Sequence, residues 1–146
     1  MIRIGKGMAA GLVATVLLSI LMVMKGTMGL MPQLDVIRMI AGMTGMSAAI
    51  AWGVHFLLGT VIWGGLFAWI NLAIPGDTQW LRGIVFGIGA WLAMMVLVMP
   101  AAGQGLFGLQ LGIMAPVMTL ILHVIYGAVL GATYGGMVGP RVLTDG

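Results

Sequence analysis

The sequence contains no cysteine and no glutamate. Without cysteine there can be no disulfides, thiolate metal sites, iron–sulfur ligands or thiol nucleophiles. Acidic side chains are limited to Asp35, Asp77 and Asp145, and basic ones to Arg3, Lys6, Lys25, Arg38, Arg82 and Arg141. Charged residues make up 6% of the 146, against about 25% in an ordinary soluble domain. A surface wetted on all sides cannot be built from so few. Intramembrane carboxylates mark proton relays and ion pathways, and all three aspartates fall outside the apolar stretches, so a pump or a buried acid–base enzyme has no obvious working group. Nucleophile elbows, phosphate-binding glycine loops and zinc-helix motifs are missing as well. The pI near 10.0 comes from six scattered cations, not from a basic patch, which argues against a nucleic-acid partner.

What is present is apolar. Hydrophobic residues make up 62% of the chain and mean hydropathy is +1.19. No Asp, Glu, Lys or Arg interrupts the 38 residues between Arg38 and Asp77, or the 58 between Arg82 and Arg141. A membrane helix needs about 20 predominantly apolar residues, so the first stretch holds one span and the second holds two. The run from Gly7 to Met24 adds a fourth. It is long for the apolar core of a secretory signal and is expected to remain as the first helix. The other spans are expected at about 47–70, 80–99 and 112–135. Helices are the expected form because lipid offers no partner to an open backbone. The whole chain, 1–146, reads as a single four-helix transmembrane domain, all-α, whose environment is the lipid bilayer.

Basic residues set the expected orientation. Arg3, Lys6, Arg82 and Arg141 share one side, and Lys25 and Arg38 the other, which by the positive-inside rule places both termini in the cytoplasm. Trp69 and Trp80 flank the turn at 71–78, where an interfacial aromatic belt would sit. On the opposite side, Met31–Ile40 is expected to form a short interfacial helix with Pro32 in its first turn and Leu34, Ile37, Met39 and Ile40 on its apolar side. Asp35 and Arg38, three residues apart, read as an exposed ion pair of little energetic weight. The second loop on that side, Pro100–Leu111, is glycine-rich, uncharged and apolar. Such a loop either dips into the membrane or is covered by another protein.

An internal repeat of two helices is visible. Lys6-Gly7-x-x-x-Gly11 aligns with Arg82-Gly83-x-x-x-Gly87 at an offset of 76, with Ala14 over Ala90 and Leu21 over Leu97. His55-x-x-x-Gly59-x-Val61 aligns with His123-x-x-x-Gly127-x-Val129 at an offset of 68. Two parallel repeats, at about 5–71 and 80–137, would be related by an axis along the membrane normal. The two histidines of the chain would then occupy equivalent positions and face one another across that axis.

Two readings of those histidines compete. In one, His55 and His123 are the axial ligands of a b-type haem, and Gly59 and Gly127, one turn along on the same face, clear space for the porphyrin. In the other, which carries more weight, each imidazole makes a hydrogen bond between helices and the glycines serve close approach. Small residues at four-residue spacing (Gly7 and Gly11, Gly83 and Gly87, then Gly127, Gly131 and Gly135) predict tight helix packing and specify no chemistry. Fifteen methionines, clustered around Met22–Met31 and Met39–Met46, could be read as soft copper ligands, but methionine fills apolar gaps without functional demand.

Three segments carry a resemblance. Met28-Gly-Leu-Met-Pro-Gln-Leu-Asp35, Trp52-Gly-Val-His55-Phe-Leu-Leu-Gly59-Thr-Val-Ile-Trp63-Gly64 and His123-Val-Ile-Tyr-Gly127-Ala-Val-Leu-Gly131-Ala-Thr-Tyr-Gly135 resemble a family of small four-span bacterial membrane proteins known only as a domain of unknown function. The resemblance implies a bacterial inner-membrane location and transfers no catalytic residues. The expected function is therefore that of a non-enzymatic accessory subunit of a larger membrane complex, respiratory or otherwise energy-transducing, with other integral membrane subunits or further copies of itself as partners. The alternatives are a bis-histidine haem b electron carrier and a small passive transporter of a neutral solute whose path lies between the repeats.

Overall fold

The computed structural model describes residues 2–139, so Arg141 and Asp145, counted above among the charges, lie outside the described residues. The chain forms a multi-pass membrane protein of four long helices. Helix α1 spans Ile2–Thr27, and a short α2 spans Val36–Thr44. The remaining spans are α3 (Ala48–Ile70), α4 (Gln79–Ala101) and α5 (Met114–Val138). At 1.5 Å per residue, 23 residues reach about 34 Å, enough to cross a hydrocarbon layer of about 30 Å. No strand occurs among the described residues.

The spans start where local chemistry can satisfy free backbone N–H groups. Ser47 caps α3 by accepting from Ile50 N at 3.4 Å, and Thr78 caps α4 by accepting from Leu81 N at 3.4 Å. Helix α1 runs past both ends of its uncharged run, through Lys6 and Lys25. Long lysine stems allow this by carrying the ammonium away from the apolar zone. Lys6 Nζ donates to Met137 O at 2.7 Å, joining the start of α1 to the end of α5. Lys25 Nζ donates to the carbonyls of Leu30, Met31 and Leu34, tying down the turn after α1.

The short helix differs from its expected limits. It begins after Asp35, whose carboxylate accepts from Arg38 N at 3.0 Å, and ends at Gly45 in the left-handed region (φ 68°). Pro32 stays outside it, in the preceding turn. An aspartate N-cap and a glycine C-cap outweigh the preference of proline for a first helical turn. Ile37 is buried beneath the helix, and Arg38 and Asp35 pair at 3.5 Å on its exposed side.

Two spans widen into single π turns, at Leu58–Trp63 in α3 and Met94–Val98 in α4. The second lies just before Pro100, whose ring would meet the carbonyl of Val96 in a regular helix. The widened turn lets α4 continue to Ala101 instead of stopping at the expected 99. The charge-free loop beyond it folds back on the bundle. Phe107 and Gly108 take left-handed conformations (φ 57° and 64°), and the Phe107 ring meets Trp91 at 5.7 Å. Gly108 lies against Met99, where a Cβ would sit 3.2 Å from the sulfur.

Packing runs from α3 to α1, then to α5, then to α4. The α3 and α4 ends of this row are closed by rings: Phe86 meets Trp63 at 5.8 Å and Phe67 at 5.3 Å, and Phe67 meets Tyr134 at 5.4 Å. This cluster, with Ala10, Ala14, Tyr126 and Leu130, forms the core nearer the termini. A smaller core of Leu34, Met95, Met99 and Ala115 lies at the far end. Outward side chains such as Leu12, Ile20, Leu97 and Ile121 are exposed, as a lipid-facing surface requires.

Candidate functional site

Glycine brings the helices together in pairs. A Cβ built on Gly11 would fall 2.7 Å from Gly59 O and 2.9 Å from Gly64 Cα, and one on Gly7 would collide with Gly64 O and Ala68. In the second pair, a Cβ on Gly83 would strike Gly127 O and lie 2.8 Å from Gly131 Cα. One on Gly87 would strike His123 O, and one on Gly131 would strike Gln79 O. Gly135 is looser: its nearest obstacle is the Gln79 side chain, at 2.8 Å. The two pairs are not in the same register. Gly87 faces His123 and Gly127, whereas Gly11 faces Gly59, Thr60 and Gly64, about one turn further along. The π turn of α3, which has no counterpart in α5, lies in that displaced segment.

Polar groups inside the bundle form short chains that end on backbone carbonyls. Thr15 Oγ1 donates to Gly11 O and Ser19 Oγ donates to Thr15 O, each at 2.7 Å. Ser19 Oγ lies 3.2 Å from His55 Nε2. The Ser19 hydroxyl thus links the Thr15 carbonyl on its own helix to the His55 ring. His123 uses the other nitrogen: its Nδ1 lies 2.8 Å from Thr119 O, an atom that can only accept. The two imidazoles thus use different nitrogens, Nε2 in His55 and Nδ1 in His123. One is bonded across to α1 and the other back to its own helix. Among the described residues no hydrogen bond or ring contact joins them.

This arrangement bears on the haem reading. Bis-histidine ligation requires a free nitrogen from each ring, and Nε2 of His55 lies 3.2 Å from Ser19 Oγ. The clearance expected beside Gly59 is filled by the Thr15 side chain, and that beside Gly127 by the backbone of Gly83 and Gly87. A porphyrin between the two histidines would require these contacts to part. Among the described residues, no three His, Asp or Glu side chains gather at one point.

Sequence reasoning passed over Tyr126. Its hydroxyl donates to Gly59 O at 2.6 Å, linking α5 to the π turn of α3. The same carbonyl accepts the i+5 N–H of Gly64. A second unforeseen group joins α4 to α5: Trp91 Nε1 donates to Thr119 Oγ1 and Pro116 O, both at 3.1 Å, while Thr119 Oγ1 donates to Ala115 O at 2.8 Å. The signal for both was a few hydroxyls placed within otherwise apolar spans, Thr15 and Ser19 one turn apart and Thr119 one turn before His123. Above Trp52 the helices separate, leaving a crevice of about 330 Å³ walled by Met22, Leu34, Ile37 and Leu122, with Lys25 and Arg38 at its edge.

Most interior polar groups are paired within the bundle, which suits them to fixing helix positions; the buried Thr60 hydroxyl has no partner. A model for a family of unknown function (DUF6789) matches residues 1–143. No curated protein and no solved structure matches the chain.

Proposed function

Since the chain belongs to the DUF6789 family of unknown function, its role must be argued from its own surface, and we propose that it is a non-catalytic integral membrane subunit that works by assembling laterally with another membrane protein. The observation that carries this reading is the far end of the bundle. There, beyond α4 and at the start of α5, Leu106, Leu109, Ile113 and Met114 are 58%, 53%, 72% and 52% exposed, in a segment with no charge. Exposed apolar side chains gathered in an uncharged segment at one end of the bundle are the kind of surface that a neighbouring protein covers. The polar interior supports the same reading, because its hydrogen bonds are spent within the bundle. A bacterial inner membrane, with Arg3, Lys6 and Arg82 on the cytoplasmic side, is the setting we propose.

Photo-crosslinking tests this directly. With a benzophenone amino acid at Leu106, Leu109 or Ile113 of the full chain in native membranes, irradiation should yield an adduct with a different membrane protein. The same probe at lipid-facing Leu12 should give none. If the far-end sites give no adduct and the protein migrates alone on native gels after extraction in mild detergent, the subunit reading fails. A sole adduct of twice the chain mass would replace it with self-association.

A further inference from the structure

At the end of the bundle that carries the termini, a cavity of about 320 Å³ opens among α1, the turn after α3, α4 and α5. Tyr134 is 3% exposed, with its ring held edge-on by Phe67. Its hydroxyl borders this cavity and makes no hydrogen bond among the described residues. The interior hydroxyl of Tyr126 is bonded to Gly59 O, whereas that of Tyr134 is not sealed in and opens toward the cavity.

The rest of the lining explains what partner would suit it. Arg3 lies on one side, exposed and without an ion pair among the described residues. Arg82 lies on another, where Nε donates to Gly76 O at 2.8 Å and Nη1 to Asn71 O at 3.4 Å. These bonds orient the guanidinium, and neither neutralises its charge. Helix α4 begins at the same place. Thr78 takes up the N–H groups of Leu81 and Arg82, leaving those of Gln79 and Trp80, at the positive end of a 23-residue helix, directed outward. Asp77 is the one acidic side chain of the lining, set against two guanidinium groups. The nearby Asn71 amide is already committed to Gln79 Oε1 at 2.8 Å.

Two fixed or nearby guanidinium groups, a helix N-terminus and an unused hydroxyl donor converge on one cavity at the level of the membrane surface. Guanidinium forks and helix N-termini are the usual receptors for phosphate oxygens. We propose that this cavity binds a phosphate ester anion, contacted by Arg3, Arg82, the first N–H groups of α4 and the Tyr134 hydroxyl. This assignment does not depend on the subunit reading above. The phosphate comes either from a phospholipid headgroup in the surrounding leaflet or from a soluble phosphate, and the chemistry of recognition is the same.

The test uses the full chain in a mild non-ionic detergent. Phosphatidylglycerol is titrated and the bound fraction read by native mass spectrometry; inorganic phosphate is titrated separately and read as a shift in thermal unfolding. Arg3→Gln leaves every packed contact in place, and Tyr134→Phe keeps the ring against Phe67. Loss of one charge-assisted or one neutral hydrogen bond should weaken binding by about tenfold and about fivefold respectively. Arg38→Gln, at the other end of the molecule, should leave binding unchanged. Saturable lipid binding with this variant pattern supports the site and identifies a headgroup. The same pattern with phosphate alone supports it and identifies a soluble anion. Absence of both, or binding by Arg3→Gln and Tyr134→Phe equal to the parent, overturns the assignment.

Discussion

Replacing Gly83 with alanine adds one methyl group at the point where α4 and α5 lie closest. Its Cβ would collide with Gly127 O and stand 2.8 Å from both Gly131 Cα and Gly131 N. All three are backbone atoms, so no side chain can rotate aside. Carbon atoms rest at about 3.5–4.0 Å, and the helices must therefore separate by about 1 Å. A gap of that size forfeits a quarter to a half of the dispersion energy of the atoms that line it. Overpacking of this kind costs about 1–3 kcal/mol, and the better helix propensity of alanine returns at most about 1 kcal/mol. Gly89 is the internal control: it lies on the same helix, and a methyl group added there would meet nothing within 4 Å, so Gly89→Ala should only gain. The two variants should differ by about 2 kcal/mol, or about thirtyfold in the folding equilibrium. Unfolding in mixed micelles of increasing dodecyl sulfate content would measure it. Tryptophan fluorescence is a suitable signal, because Trp91 donates across the α4–α5 contact. If Gly83→Ala proves as stable as Gly89→Ala, close backbone approach is not what holds this pair together.

Tyr126→Phe removes the 2.6 Å bond to Gly59 O while keeping the ring. It should destabilise the fold by about 0.6–1.7 kcal/mol, the range for hydrogen bonds between membrane helices, in the same micelle titration; no change would mean that the π turn of α3 stands without it. For His55 and His123, the protein purified from cells supplied with haem precursor should show a flat reduced-minus-oxidised spectrum. A Soret band near one haem per chain that disappears in both His55→Ala and His123→Ala would instead establish axial ligation and require the packing described here to rearrange.

The number and approximate limits of the spans were legible in the sequence because the bilayer imposes one simple demand, about 20 residues without charge, and 38- and 58-residue uncharged stretches can meet it in few ways. The glycines at four-residue spacing were legible for a similar reason: a missing side chain has one obvious use between helices. The exact course of the loops was less so. Asp35 and Gly45 carried the true limits of α2, but the stronger visual signal of Pro32 pointed to a start at Met31, ahead of the observed Val36. The extension of α4 through Pro100 depended on a widened turn that no local preference announces.

Partner choice was beyond the sequence. Apolar residues surround each span almost evenly, so neither the pairing of α1 with α3 and α5 nor the direction of a given side chain follows from periodicity. The repeat put His55 and His123 in equivalent positions, yet tertiary packing gave them different partners by placing a serine on α1 beside one and leaving the other to its own helix. It also turned Tyr126 inward to a carbonyl and left Tyr134, two turns later on the same helix, facing an open cavity among cations. The sequence by itself determined that the chain lives in a membrane as four helices, because solvent transfer depends on composition along the chain. Only the tertiary structure decided which polar groups are spent on holding the bundle and which are left to meet a ligand, because a hydrogen bond depends on what another helix brings within about 3 Å.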